Sequence, residues 1–367
     1  MPSLRGRAVD PIRRCATPDQ EQALRISAVI PTYNRQDLVV RAVHNVLGQR
    51  RPPDEVIVVD DGSTDDTVAR LEALALPGVH VVRQANAGAG AARNRGVVEA
   101  SGEWVAFLDS DDLWLPQHLE RMEAAIVATG GDAPLYFADT AFAGPHGRTS
   151  FWREAGFTVA PPHRLIADAT SWALLPVQPM MLQAAVVSRR AFLDLGGFWT
   201  ALTGREDTHF FLRMCLGGPA CAVAGAGTEM TDDALAGRLT QVHAPCTESY
   251  WRHTILLYAD VLARTPGLSR APRQVLRGRL SVAHWRMSRL LLAQGRRRES
   301  ARSLGRALSA SPWEVPRHLL RQVLPRLFAA APAREARALP DRQAGVAGRE
   351  PARPATLPAI GPEEPSW

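Results

Sequence analysis

The sequence predicts an α/β fold, an open and mostly parallel sheet flanked by helices. Three observations predict it. Short apolar runs alternate with segments of helical period from about residue 25 onward, at intervals of roughly 25 to 30 residues, which is the βαβ rhythm. The run Glu55-Val-Ile-Val-Val59 is almost wholly apolar, as expected of a strand buried on both faces of a parallel sheet. Polar, turn-forming clusters follow three of the runs, where ligands sit in open parallel sheets.

The elements follow in order. Ile26–Ile30 is the first strand. Leu38, Val39, Ala42, Val43, Val46 and Leu47 then fall on one face of a helix, with Asn34 and Asp37 placed to cap its start. Glu55–Val59 is the second strand, and Val68, Leu71 and Leu74 mark the next helix. Val79–Val82 is a third strand, Gly90–Ala100 a helix, and Trp104–Leu108 a fourth strand. After Leu135 the pattern weakens. A helix is expected from Thr208 to Leu216, and Leu-, Ala- and Arg-rich helices from Tyr250 to about Phe328. The organisation expected is an arm over 1–24, a principal domain over 25–248 with halves 25–130 and 131–248, an Arg-rich helical extension over 249–330, and a disordered, proline-rich tail over 331–367.

Composition excludes several chemistries. The chain has 367 residues, 46% hydrophobic and 22% charged, as in globular proteins. It contains no lysine, so all 43 basic residues are arginine. P-loop, Schiff-base, pyridoxal and protein-kinase chemistry each need a specific lysine and are excluded. Four cysteines without a C-x-x-C pair fit reduced thiols in a cytosol. The best candidate span, Ile255–Ala259, is broken by Asp260, so no membrane span is expected. Between Arg270 and Arg326 there are 14 arginines against Glu299 and Glu314 alone. Such a block is either a solvated helix face or a peripheral contact with anionic lipid. It lacks the aromatic interleaving of a nucleic-acid surface, and no nucleic-acid partner is expected.

The three clusters carry the chemistry. Asp109-Ser110-Asp111-Asp112 ends an apolar strand in three carboxylates. Their repulsion is relieved by a hard divalent cation, Mn2+ or Mg2+, or the residues form an acidic cap on the helix from Gln117. Asp60-Asp61 at the second strand tip offers carboxylates to a uracil imide or to ribose hydroxyls, and Tyr33 on the adjacent tip offers a ring for stacking. The first strand-to-helix turn has no glycine, so dinucleotide binding is not expected.

Four segments together carry a resemblance. Ile30-Pro31-Thr32-Tyr33-Asn34-Arg35, Val58 to Asp65, Asn86-Ala-Gly88 with Ala92-Arg93-Asn94, and Phe107 to Asp112 closely resemble the family 2 glycosyltransferases of the GT-A fold. A weaker likeness extends through Gly196-Gly197-Phe198 to Glu206-Asp207. The resemblance implies a GT-A domain over 25–248 that transfers a sugar from a nucleotide-diphosphate donor, UDP-sugars favoured, to an acceptor hydroxyl with inversion. It implies nucleotide-sugar contacts from Pro31, Thr32, Tyr33, Asn34, Asp60, Asp61, Asn86, Arg93, Asp109 and Ser110. Asp111, with Asp109, is the implied metal pair, and Asp207 the implied general base, with Glu206 as its alternative.

The Q-x-x-R-W motif of processive synthases is absent, which favours addition of one or a few sugars. A glycan or lipid-linked acceptor in bacterial surface polysaccharide or glycolipid synthesis is expected, with a cytoplasmic location, free or at the inner membrane face. Relatives often carry a basic loop after the position of Ala224, a role that Arg238 is expected to fill here. Two rivals stand beside this reading. One is a catalytically silent sugar-nucleotide or glycan-binding protein of the same fold. The other is a nucleotidyltransferase, which usually has a Gly-rich first loop with a lysine.

Overall fold

The computed structural model describes residues 24–144, 147–230 and 247–317. The chain divides into two compact units, Met1–Leu268 and Ser269–Trp367. The first unit opens with the expected alternation: β1 (Ile26–Thr32), α1 (Gln36–Leu47), β2 (Glu55–Asp60), α2 (Thr67–Ala73), β3 (Val79–Arg83), α3 (Ala89–Glu99) and β4 (Trp104–Phe107). It continues with β5 (Asp112–Trp114), α4 (His118–Ala128), β6 (Leu135–Gly144), β7 (Gly147–Ser150), α5 (Phe151–Ala155), β8 (His163–Ile166) and α6 (Thr170–Ala173). A 3-10 turn (Leu182–Ala184), β9 (Ala185–Ser188), α7 (Arg189–Leu195), α8 (Glu206–Cys215), β10 (Ala220–Met230) and α9 (Glu248–Arg264) complete it.

All ten strands form one sheet in the order β3-β2-β1-β4-β9-β6-β10-β5, with β7 against β6 and β8 against β10. The first four strands are parallel, in register Val29 with Ile57 and Val29 with Phe107. Beyond β4 the sheet is mixed: β9 runs antiparallel to both β4 and β6, whereas β10 is parallel to β6. The parallel half is fully buried from Ile26 to Ile30 and from Val56 to Val59, which is why its strands read as continuous apolar runs. Helix α1 buries Val39, Ala42, Val43 and Val46 against it. Helix α3 approaches β1 so closely that a Cβ on Gly96 would lie 2.3 Å from Val29 Cγ1, a contact only glycine permits.

Two expectations are corrected. Asn34 and Asp37 do not cap α1, whose N-cap is Arg35 without a side-chain bond. Asn34 instead takes a left-handed conformation (φ 50°) and ties β1 to the β2–α2 loop: its amide donates to Ser63 Oγ and its Oδ1 accepts from the Thr64 amide. Asp112 closes the acidic turn, its amide donating to the Asp109 carbonyl at 3.0 Å, and also starts β5, which pairs antiparallel with β10 through Met230. Helix α8 begins at Glu206, two residues before the expected Thr208, which brings Glu206 and Asp207 into its first turn.

The expected boundary at 248/249 also differs from the observed division at 268/269, because α9 packs on α8 within the first unit. The second unit contains α10 (Arg270–Ala293) and α11 (Arg297–Ala310). Small residues let these helices approach: Ser288 and Ser300 hydroxyls each donate to the other's carbonyl at 2.9 Å. Among the described residues no helix is long and apolar enough to cross a membrane. Residues 1–23 of the expected arm, the tail and the Arg238 loop lie outside the described residues, as do Cys15 and Cys246. Cys215 and Cys221 are buried free thiols, and burial pushes both up to about 12.

Candidate active site

A cleft of about 440 Å³ opens at the carboxyl edge of β1, β2 and β4. Parallel strands deliver their C-terminal tips to one side, so the three polar clusters meet there. From β1 come Pro31, Thr32 and Tyr33, with Tyr33 45% exposed at the rim. The two acids at the β2 tip separate, because successive side chains of a strand point to opposite faces. Asp61 lines the cleft, whereas Asp60 is fully buried away from it, accepting from the Ser63 amide and lying 3.8 Å from Arg83 Nε. Asn34 likewise stays outside the cleft lining.

Asp61 organises the loop before α3. Its Oδ1 accepts from Gln84 Nε2 (2.7 Å) and the Ala87 amide (2.9 Å), and its Oδ2 from the Gly88 amide (2.8 Å). These bonds hold Asn86 and Gly88 against the cleft. Gly62 makes room for that loop. Its φ is +81°, and a Cβ there would meet the Asn86 amide nitrogen at 2.9 Å.

Arg93, on the second turn of α3, sits beneath the cleft. It donates through NH1 to Glu206 Oε1 at 2.8 Å and through NH2 to Asp109 Oδ1 at 2.5 Å. Its guanidinium carbon lies 5.7 Å from the centre of the Phe198 ring. Burial opposes charging Arg93, but Asp109 and Glu206 outweigh it and hold its pKa above the ordinary value. Burial pushes the Glu206 carboxyl up; Arg93 opposes this and Asp207 reinforces it. Asp207 also lines the cleft, and its Oδ1 accepts from the Thr208 amide at 2.6 Å.

At the β4 tip, Ser110 and Asp111 are buried cleft residues, and Asp111 Oδ2 pairs with Arg35 NH1 at 2.7 Å. Asp109 and Asp111, the implied metal pair, therefore each face a guanidinium. Among the described residues, no group of three or more His, Cys, Asp or Glu side chains is arranged to hold a metal by itself.

Several lining residues escaped the sequence reading. Arg35 lay within a quoted motif but was assigned no role. Met181, Leu182 and Gln183 come from the segment leading into β9, and Met230 from the end of β10. No periodic signal marks them, because their place depends on β9 running antiparallel beside β4.

Helix α9 braces α8 from behind. Arg205, just before α8, is left-handed (φ 66°), and its NH1 donates to Thr254 Oγ1 (2.8 Å) and Tyr250 Oη (3.2 Å). One turn into α8, His209 Nε2 lies 2.8 Å from Asp260 Oδ2, which also accepts from Arg264 Nε at 2.7 Å. Burial lowers the His209 pKa, with Asp260 opposing in part, so the ring is neutral and donates to Asp260.

Comparison with known proteins gives this arrangement a context. Residues 27–177 match the family described as Glycosyl transferase family 2. The chain is 42% identical over 102 residues to an uncharacterized glycosyltransferase of Nostoc, covering 27% of this chain and 32% of that protein. It is 42% identical over 106 residues to the succinoglycan biosynthesis protein ExoO of Rhizobium meliloti (29% and 30% covered). It is 43% identical over 99 residues to the putative teichuronic acid biosynthesis glycosyltransferase TuaG of Bacillus subtilis (26% and 39% covered). The matches thus span about a third of the length of these curated relatives.

Among solved structures, S. aureus TarS 1-349 in complex with UDP-GlcNAc superposes with a TM-score of 0.60 at 21% identity, covering 78% of this chain and 81% of that one. Mannosyltransferase PcManGT from Pyrobaculum calidifontis, in complex with GDP-Man and Mn2+, gives 0.52 at 22% identity, covering 83% and 80%. At these identities the likeness shows the shared fold. The likeness to glycosyl transferase family 2 thus covers residues 27–177, and the fold is GT-A.

Proposed function

We propose that this protein is a metal-dependent, inverting glycosyltransferase. It moves a sugar from a nucleotide-diphosphate donor, UDP-sugars favoured, to an acceptor hydroxyl in bacterial surface polysaccharide or glycolipid synthesis. The observation that carries the reading is the meeting of Asp61, Asp109, Asp111 and Asp207 in one cleft from three separate segments. The relatives named for succinoglycan and teichuronic acid biosynthesis, and the neighbours bound to UDP-GlcNAc or GDP-Man, support it.

The donor set fits a hard divalent cation. Magnesium-like ions are usually held by one or two carboxylates plus substrate phosphates rather than by a complete protein cage. Asp111 with Asp109 supplies that minimum. When bound, the cation neutralises charge developing on the departing diphosphate. In the protein's own part, Asp61 and the Asn86–Gly88 loop receive the nucleotide, with Tyr33 covering it from the rim. Asp207 accepts the acceptor hydroxyl's proton as that oxygen bonds to the anomeric carbon and the bond to the diphosphate breaks on the opposite face. Glu206 suits the base role less, since Arg93 already holds its Oε1.

The test is turnover of a sugar-nucleotide panel with Mn2+. Asp111→Asn and Asp207→Asn are expected to lose about 100-fold or more in kcat, the scale of removed acid–base and electrostatic catalysis. Wild-type turnover in either variant would overturn the reading.

Peripheral attachment at the cytoplasmic face of the membrane is the second part of the proposal. On α11 the exposed Arg298, Arg302 and Arg306 recur at helical spacing beside exposed Leu304 and Leu308. Trp313 just beyond is 81% exposed. Basic residues flanking an apolar strip are suited to anionic headgroups. Co-flotation with anionic but not zwitterionic vesicles is expected; equal behaviour with both would reject it.

A further inference from the structure

The cleft wall that the sequence did not reveal bears on which sugar is taken. Because β9 runs antiparallel to β4, the amino end of β9 lies at the same edge of the sheet as the carboxyl end of β4. The 3-10 turn at that end brings Leu182 and Gln183, with Met181 before them, to the wall beside Asp109 and Asp111. Gln183 is fixed from behind. Trp114 Nε1 donates to its carbonyl at 2.7 Å, and Trp114 is itself clamped by Asn45, whose Oδ1 accepts from the Trp114 amide (2.8 Å) and whose Nδ2 donates to the Trp114 carbonyl (3.0 Å).

Gln183 is only 4% exposed, lines the cleft, and its side-chain amide makes no hydrogen bond among the described residues. Its amide atoms reach the open cleft, where water or a ligand can take their hydrogen bonds. The groups nearby limit what that ligand can be. Asp61, Asp109, Asp111, Asp112, Glu206 and Asp207 line the cleft against two guanidiniums, Arg35 and Arg93, both already paired with carboxylates. A sugar carrying its own carboxylate would add like charge to this wall. Met181, Leu182 and Met230 add apolar surface to the same cleft.

We propose that Gln183, with Met181 and Leu182, forms the sugar-reading wall of the donor site and selects a neutral sugar bearing an acetamido group. The primary amide of Gln183 pairs with the acetamido carbonyl or N–H, and the acetamido methyl packs on Met181 and Leu182. This inference rests on the reading of the cleft as a nucleotide-sugar site.

The experiment measures binding of UDP, UDP-glucose, UDP-N-acetylglucosamine, UDP-glucuronate and GDP-mannose by calorimetry to wild type, Gln183→Leu and Gln183→Asn. Thermal melts check that each variant folds. Wild type is expected to bind the acetamido donor at least tenfold tighter than the glucose or glucuronate donor. Gln183→Leu is expected to lose that preference while binding UDP within about twofold of wild type, and Gln183→Asn to retain part of it. Wild-type binding of UDP-glucose, UDP-glucuronate or GDP-mannose as tight as the acetamido donor overturns this inference and leaves the proposed function standing. So does a Gln183→Leu protein that keeps the preference. A wild type that binds none of the five overturns both.

Discussion

Arg93 and Glu206 are 113 positions apart in sequence and joined at 2.8 Å beneath the cleft. The same guanidinium reaches Asp109, so one arginine fixes the position of an acid from the β4 tip relative to the start of α8. Removing it strands a buried carboxylate. Arg93→Met is expected to cost about 3 to 5 kcal/mol, toward the lower end because Asp109 is one-third exposed. Arg93→Met with Glu206→Gln is expected to recover part of that loss. Urea denaturation of the single and double variants measures both, and additive losses would contradict the coupling.

Gly62 bears on the proposed donor site by making room for the loop at Asn86. Gly62→Ala forces a side chain into a φ of +81° and pushes a Cβ against the Asn86 amide. The expected cost is about 1 to 3 kcal/mol in stability. A raised KM for donor with an unchanged KM for acceptor is expected, read from initial rates with each substrate varied in turn.

Arg205 connects α8 to α9. Arg205→Leu removes its bonds to Thr254 and Tyr250 and so loosens the start of α8, which carries Asp207. Its effect is expected in kcat, by roughly tenfold or more, because small misplacement of a base is costly. Nucleotide affinity is expected to stay within about twofold, since the proposed nucleotide contacts lie on other elements. Calorimetry with UDP beside steady-state rates separates the two.

His118 sets an acid limit on stability. It is buried on α4 against Trp114, neither ring nitrogen has a partner, and burial, reinforced by Arg121, depresses its pKa to about 3. An unfolded histidine titrates near 6.5, so the unfolded state binds the proton first as pH falls. The contribution of His118 is therefore fully present above pH 6.5 and is lost progressively from there down toward pH 3. By pH 4 the loss is about 3 kcal/mol. His118→Leu is expected to flatten the stability profile between pH 6.5 and 4 relative to wild type, as followed by denaturant midpoints. An identical slope would mean that other groups govern the acid transition.

The sequence was most legible where each residue's environment is set by its near neighbours in the chain. β1 to β4 and their helices follow from apolar runs buried on both faces, and the polar tips follow from where those runs stop. Legibility failed where the pairing partner is distant. Asp112 read only as part of a turn, which it closes, because nothing local shows that Met230 also pairs with it in the sheet. Asn34 read as a helix cap because its actual partners, Ser63 and Thr64, lie across the next strand.

By itself, then, the sequence determined the alternating α/β order, the convergence of three polar clusters on one sheet edge, and the family resemblance they carry. Those are consequences of strand and helix periodicity, which a chain states residue by residue. Only the tertiary structure decided that Asp61 faces the cleft while Asp60 faces away, that Arg93 links Asp109 to Glu206, and that Gln183 stands in the wall. Each depends on strand direction and register between segments far apart in sequence. Reversing one strand moves its end residues to the opposite edge of the sheet, and no local pattern records which way β9 runs.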